Sequence, residues 1–264
     1  MGRIIAVANQ KGGVGKTTTV INLGASLALS DQRVLLVDMD PQANLTSGVG
    51  QKDRGADART IYDCLTAPEV DPHALPVCPT SVSGLWLVPA DRHLTGAEIE
   101  LVPLEQREHR LKRLLGLQRE RFDYVLIDTP PSLGLLTLNA LVAADQVLIP
   151  LHAEYFALEG LADLVATLRR VRGALNHDLD IAGVLLTMYD ERTNLAQQVS
   201  REIRGFFGDQ VFSTVIPRNV RLGEAPSHGL PVVLYDPRSR GAEAYTALAR
   251  ELLDRGRPGQ AAQQ

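Results

Sequence analysis

The 264-residue sequence predicts a single-domain α/β fold, a doubly wound and mostly parallel sheet with helices on both faces. Three observations predict it. Short apolar runs that read as buried strands alternate with longer stretches of 3.6-residue periodicity. A glycine-rich loop, Lys11 to Thr18, stands between the first apolar run and the first helical stretch. Two apolar runs end in aspartate, at Asp38 and Asp128, which is where open α/β sheets place ligand chemistry.

In chain order, the strand Arg3 to Ala8 leads through the glycine loop into a helix from Lys16 to Leu29, and a second strand follows from Arg33 to Asp38. The stretch from Gln51 to Pro79 is richer in Asp, Pro and polar residues and reads as an excursion with a short helix at Ile61 to Leu65. Further strands are expected at Leu85 to Pro89, Tyr124 to Ile127, Gln146 to Leu151, Ile181 to Thr187, Val211 to Ile216 and Val232 to Tyr235. The helices between them are Glu105 to Arg119, Leu135 to Ala143, Leu158 to Ala174 and Leu195 to Phe207, with Ala242 to Arg255 closing the unit. One domain is expected over residues 1–255, and residues 256–264 read as a frayed, disordered tail.

Hydrophobic residues make up 45% of the chain and charged residues 22%, the balance of a globular protein with a core. A net charge of -4 excludes a protein that coats nucleic acid with its whole surface, so any such contact needs a local basic patch. All but four of the 27 basic residues are arginine, yet two of the four lysines, Lys11 and Lys16, lie in the glycine-rich loop. Where arginine is the default base, lysine there points to function. Cys64 and Cys78 are too few for a disulfide framework and lack CxxC spacing. His93, His109, His152, His177 and His228 have no metal-ligand spacing. No apolar stretch approaches the roughly 20 residues that span a bilayer, and the N-terminus runs into a strand without a leader. A cytoplasmic protein without a membrane partner is expected.

The order strand, glycine loop, helix builds a phosphate site. Gly12, Gly13 and Gly15 let the backbone bring its N–H groups against phosphate oxygens, Val14 lies between them, and the helix N-terminus adds its positive dipole. Lys16 is expected on the outer phosphates, Thr17 on Mg²⁺ and Thr18 on a further phosphate oxygen. The loop is of the P-loop NTPase type, and ATP with Mg²⁺ is the expected pair. The strict pattern GxxxxGK[ST] fails at Gln10, where glycine is required. Lys11 supplies a second phosphate-facing cation instead. At the other strand ends, Asp128 suits an outer-shell or water-bridged position on Mg²⁺, Asp38 supports the metal, and Asp40 could orient the water that attacks the terminal phosphate.

Taken together, KGGVGKTT, LLVDMDPQANLTSG, DYVLIDTPPSLGLLTLNAL, EYFALEGL, TMYDERTNL, VIPRNVRLGEAPSHG and YDPRSRGAEAY resemble the chromosomal ParA/Soj partition ATPases, which carry the deviant Walker A loop. The resemblance runs from about Arg3 to Arg255. It implies an ATP-driven switch in which a face-to-face homodimer binds double-stranded DNA without sequence preference. A ParB-type centromere-binding partner then triggers slow hydrolysis and release. It implies nucleoid association in the ATP state. By position, Lys11 would reach the partner subunit's nucleotide, Gly12 would lie at the interface, and Lys16 and Asp40 would serve hydrolysis. Pro217, Arg218 and Asn219 would lie near adenine, and Arg192 and Arg221 would touch DNA.

The charge pattern is compatible with that scheme. Between Tyr189 and Arg221, Arg192, Arg201, Arg204, Arg218 and Arg221 stand against Asp190, Glu191, Glu202 and Asp209, a weak patch that dimerisation would double. A second basic run, Arg107, Arg110, Lys112, Arg113, Arg119 and Arg121, is interleaved with Glu105, Glu108 and Glu120 and reads as an ion-paired surface helix. Glu154 and Glu159 read as structural or partner-facing.

Three rivals are weaker. A membrane-cycling division-site ATPase needs a basic amphipathic C-terminal helix, and Gly256, Pro258 and Gly259 break it here. An iron-protein type needs cluster cysteines, and none follows Asp128. A repressor would need a DNA-reading domain before the loop, where ten residues precede Lys11. A related deviant P-loop ATPase that positions another cargo stays open.

Overall fold

The computed structural model of the chain describes residues 2–52, 54–55, 58–154 and 157–256. The expected frayed tail beyond Gly256 lies outside the described residues.

The elements run in the order β1 (Arg3–Val7), α1 (Lys16–Ala28), β2 (Val34–Asp38), α2 (Asn44–Gly48), α3 (Ile61–Thr66), β3 (Cys78–Pro79), β4 (Leu85–Val88) and α4 (Leu94–Glu100). They continue with α5 (Arg110–Leu115), α6 (Gln118–Arg121), β5 (Tyr124–Asp128), α7 (Leu135–Ala143), β6 (Gln146–His152), α8 (Ala157–Ala174) and β7 (Asp180–Thr187). The last are α9 (Asn194–Phe207), α10 (Arg221–Glu224), α11 (Val232–Tyr235) and α12 (Arg240–Arg255). The sheet order is β3-β4-β2-β5-β1-β6-β7, parallel except for the short pairing of β3 with β4. The expected doubly wound α/β fold is the one observed.

The strands are buried on both faces, and their side chains divide into two cores by the period-2 alternation of a pleated strand. Ile5, Val7, Leu36 and Leu126 belong to the core that holds Val20, Leu23 and Leu27 of α1 and Tyr245, Leu248 and Leu252 of α12. Ile4, Ala6, Leu35, Val37 and Ile127 belong to the opposite core, with Ala140 of α7 and Leu161, Leu164 and Leu168 of α8. The helix α1 lies very close to the sheet: a Cβ at Gly24 would come 2.6 Å from Leu36 Cδ2.

Two expected strands are not strands. Val211–Ile216 runs beside β7 with one isolated bridge, Val184 to Val211. Its ladder fails because the N–H groups of Ser213 and Thr214 donate to the Glu251 carboxylate of α12, at 2.8 and 2.9 Å. The segment Val232–Tyr235 is instead the helical turn α11, entered at Pro231. The Val232 N–H donates to Asn22 Oδ1 at 2.7 Å, so the turn is tied to α1 and not to a sheet edge.

The expected helix from Glu105 to Arg119 is also broken. Gln106 is left-handed at φ 49, a 3-10 turn follows at Arg107–His109, and Gly116 stands between α5 and α6. Nor is it an ion-paired surface helix throughout. Arg110 is buried and donates to the Leu65 and Ala67 carbonyls at the C-terminal end of α3, where burial holds its guanidinium below its ordinary pKa. Arg107 pairs with Glu108 at 2.9 Å and Arg119 with Asp145 at 2.7 Å. The helix α4 and the edge strand β3 were not expected; β3 is two residues long and α4 lacks a side-chain cap.

The broken segment is held in place by Asn139 of α7. Its fully buried amide accepts the Leu111 N–H at 3.1 Å and donates to the Arg107 carbonyl at 2.8 Å. Asn139→Ala leaves the buried Leu111 N–H and the partly buried Arg107 carbonyl without that partner, and should cost about 1–3 kcal/mol. Urea unfolding should give a lower midpoint with an unchanged slope.

Candidate functional site

The parallel register fixes the site before any loop does. Val7, Asp38 and Asp128 occupy one rung at the carboxyl ends of β1, β2 and β5. By the alternation along β2 and β5, both aspartates point to the face that carries α1. The loop between β1 and α1 crosses above them.

That loop is pinned at three places. Asn9 Nδ2 donates to the Pro150 carbonyl at 2.8 Å, Asn9 Oδ1 accepts the Lys11 N–H at 3.0 Å, and the Thr187 hydroxyl donates to the Val14 carbonyl at 2.8 Å. Gly13 at φ 72 and Gly15 at φ 87 take the left-handed conformations that the turn requires. Gly15 caps α1 without a side chain, and the first turn of the helix holds no acid. The N-terminal N–H groups of α1 are therefore left for an anion.

Lys16 is buried, and its ammonium donates to the Lys11 carbonyl at 3.2 Å. Burial lowers its pKa, and the Asp128 and Asp40 carboxylates partly offset that. Lys11 behaves differently. Its side chain is 45% exposed and its ammonium contacts Glu154, whose carboxylate also meets His152 Nδ1. The Lys11 ammonium beside Glu154 holds that carboxyl below its ordinary pKa.

The two rung aspartates are treated oppositely. Asp38 Oδ1 accepts the Asp40 N–H at 3.1 Å, and Oδ2 accepts the Thr46 N–H at 2.9 Å and the Thr46 hydroxyl at 2.7 Å. Burial still pushes Asp38 up to about 6. Asp128 is just as buried, but neither oxygen receives a hydrogen bond of ordinary geometry. The Thr17 hydroxyl approaches it and gives only partial relief. Burial, with the Asp38 charge beside it, drives the Asp128 carboxyl well above its usual range. Asp40 is buried in the loop after β2, and its Oδ1 accepts the Gln42 N–H at 2.9 Å.

These residues fit a hydrated divalent cation. Asp128 presents two buried oxygens without hydrogen-bond partners, and Thr17 stands next to it. Among the described residues no three His, Cys, Asp or Glu side chains form a closed metal cage. Mg²⁺ needs none, because it keeps waters and takes phosphate oxygens.

A cleft of about 510 Å³ opens over the loop, within the range of small-molecule sites. Gly12, Gly13, Gly15, Lys16, Thr17, Thr18 and Asp40 line one side, and Pro217, Arg218 and Asn219 line the other, with Met188 and Tyr245 between. Residues some 200 positions apart in sequence thus meet across one cleft. Lys11 is not among the lining residues.

Arg192 and Arg221 are exposed on adjacent segments, joined by the bridge from Tyr189 to Pro217. Each is held by its own acids. Arg192 donates to both Asp190 oxygens at 2.8 and 2.7 Å, and Arg221 reaches Glu224 at 2.7 Å and Asp236 at 3.2 Å. The Arg192 guanidinium takes the Asp190 carboxyl down to about 2. Exposed pairs of this kind contribute little, so phosphates can displace the acids.

Sequence reasoning missed Asn9, Thr46 and Thr187. Asn9 carries a weak signal, an Asx residue directly after a strand. Thr46 and Thr187 carry none, since their partners Asp38, Ala90 and Val14 are found only in three dimensions.

Comparison with known proteins agrees with this geometry. Residues 2–181 match the AAA domain family. The sporulation initiation inhibitor protein Soj of Bacillus subtilis is 57% identical, over 97% of this chain and all of that protein. The chromosome partitioning protein ParA of Myxococcus xanthus is 55% identical, over 98% of this chain and 90% of that one. Cobyrinic acid a,c-diamide synthase from Mycobacterium smegmatis, crystallised with an ATP analog and magnesium, superposes with a TM-score of 0.84 at 38% identity, covering 98% of each chain.

The two raised aspartates set a pH dependence. The folded chain holds protons there that the unfolded chain releases near pH 4, so their contribution is complete below about pH 4 and is lost as pH rises through the folded values. For Asp38 that window is about 4 to 6. In chelator and without nucleotide, Asp128→Asn should remove the Asp128 part of this loss. Between about pH 4.5 and 7.5, its melting temperature should gain about 2 °C or more relative to the native chain. A difference independent of pH would contradict the assignment.

Proposed function

This chain belongs to the ParA/Soj family of chromosome-partitioning ATPases, and from that premise we propose that it is an ATP-gated, DNA-binding dimer that hydrolyses ATP slowly. Residues 1–255 act as one ATPase unit. The observation that carries the reading is the division of labour between two lysines, with Lys16 lining its own cleft and Lys11 turned out of it.

Within one subunit the N–H groups around Gly12 to Gly15 and the N-terminus of α1 receive the phosphates of ATP, with Lys16 and Thr18 alongside. Pro217, Arg218 and Asn219 take the adenine end. Thr17, Asp128 and, through support, Asp38 hold Mg²⁺, which supplies charge neutralisation on the phosphate oxygens when bound. Asp40 orients and polarises the attacking water. Lys11 is half exposed, and its pair with Glu154 is weak enough to exchange for the nucleotide of a facing subunit. Gly12 suits close approach there, since it is exposed and a Cβ on it would meet nothing nearer than Pro131 at 3.9 Å.

Two subunits closed on ATP align two copies of the Arg192 and Arg221 surface. Each copy alone is weak because Asp190, Glu224 and Asp236 neutralise it, and two copies multiply their affinity. A ParB-type partner accelerates hydrolysis and so releases the DNA. Among the described residues no helix is long and apolar enough to cross a membrane.

Retention on unrelated duplex DNA, measured with ATP, with ADP and without nucleotide across a salt series, should be strong only with ATP. Equal binding in all three states would overturn the gating. Arg192→Ala and Arg221→Ala should each weaken binding on every sequence and reduce the salt slope by about 1 per subunit. Asp40→Ala should keep ATP binding and DNA retention while turnover is lost, and normal turnover by that variant would remove Asp40 from the mechanism.

A further inference from the structure

Asp40 sits in a segment that is closed on itself between β2 and α2. The Asp40 N–H donates to Asp38 Oδ1, the Ala43 N–H donates back to the Asp40 carbonyl at 2.9 Å, and Ala43 itself is left-handed at φ 52. A non-glycine residue in that conformation persists only where its surroundings enforce it. The enforcing contact is on the far side of Asp38. Thr46 gives both its N–H and its hydroxyl to Asp38 Oδ2.

The Thr46 hydroxyl also accepts the Ala90 N–H at 3.0 Å, just beyond the end of β4. A backbone N–H can only donate, so it occupies a lone pair of the hydroxyl and directs the hydroxyl proton to Asp38. Asp38, Thr46 and Ala90 are all buried, and water has no access with which to replace any of these bonds. Because β2 and β4 are paired in the sheet, the hydroxyl is held between two fixed points. It closes the ring from Asp38 through Asp40 to Thr46 against a rigid wall.

We infer that Thr46 is a positioning residue for hydrolysis, which acts through Asp38 to fix the backbone at Asp40 and hence the direction of the Asp40 carboxylate. The inference rests on Asp40 as the group that orients the attacking water. Thr46 is absent from the residues that line the cleft, so it touches neither phosphate nor adenine. Its loss should therefore act on turnover and leave nucleotide binding alone. Valine at 46 keeps the shape of the side chain and deletes only the hydroxyl. Ala90 N–H and Asp38 Oδ2 each lose a buried bond, and the turn at Ala43 is free to relax.

The test is steady-state ATP hydrolysis by Thr46→Val and Thr46→Ser, with DNA retention measured alongside. Thr46→Val should lower kcat about tenfold or more, because small misplacements of a reacting group cost that much. Its KM for ATP and its ATP-dependent retention on DNA should stay within about twofold, and Thr46→Ser should restore kcat. If Thr46→Val does not fold, Thr46→Ala, which also deletes the hydroxyl, carries the same expectation. Native kcat in the valine variant overturns the inference, as does a parallel loss of KM, DNA retention and kcat, which marks a merely structural role. Asp40→Ala in the same assay separates the two readings. If it is inactive while Thr46→Val is native, only the role of Thr46 fails; if it too turns over normally, the role of Asp40 fails first.

Discussion

The structure depends on two carboxylates buried side by side and given unequal company. Parallel register puts Asp38 and Asp128 on one rung, where two charges without water would be intolerable. Three donors converge on Asp38 and none of ordinary geometry on Asp128. The first aspartate is thereby committed to holding protein together, since the Asp40 N–H, the Thr46 N–H and the Thr46 hydroxyl already occupy its oxygens. The second is left with an unmet need for positive charge, and the residues nearest to meeting it are Lys16 and Thr17. A cation at the end of β5 would relieve a cost that the empty fold carries.

The same rung explains why the loop above it can be rigid without being tightly packed. Its fixed points are all polar contacts: the Pro150 carbonyl in β6 and Thr187 at the end of β7, both remote in sequence, and Asn9 just after β1. Three neighbouring strands therefore hold one glycine-rich turn, and its N–H groups remain directed at the cleft. Little reorganisation is then needed when an anion arrives, which is the condition for strong electrostatic binding.

What the sequence made legible was local. The strand, loop and helix around Lys11 to Thr18 are written in consecutive residues, and the aspartates closing two apolar runs mark strand ends directly. What it hid was decided by partners elsewhere. Val211–Ile216 has the composition of a strand, and a carboxylate from α12 takes two of its N–H groups. Val232–Tyr235 is equally apolar, yet Asn22 binds its first N–H and a helical turn results. Arg110 looks like a surface base in a charged run, but two carbonyls left open at the C-terminal end of α3 draw it inside. Thr46 is one threonine among many until β2 and β4 are laid together. In each case a backbone donor or acceptor was satisfied by a residue that no periodicity could identify.

The charges outside the cleft follow a different rule from those inside it. Asp38, Asp128 and Lys16 are buried, and their interactions are strong because water is excluded. Lys11, Arg192 and Arg221 are exposed and each already has an acidic partner of its own. Such pairs are worth little, so they neither lock the side chain nor leave it free to bind indiscriminately. A surface cation masked in this way needs a multiply charged competitor to release it, and phosphate esters are that competitor. For a switch built on reversible dimerisation and DNA contact, weak masking is more useful than a bare charge. In the proposed switch it would keep the single subunit, with its net charge of -4, from binding strongly and would let two subunits do together what one cannot.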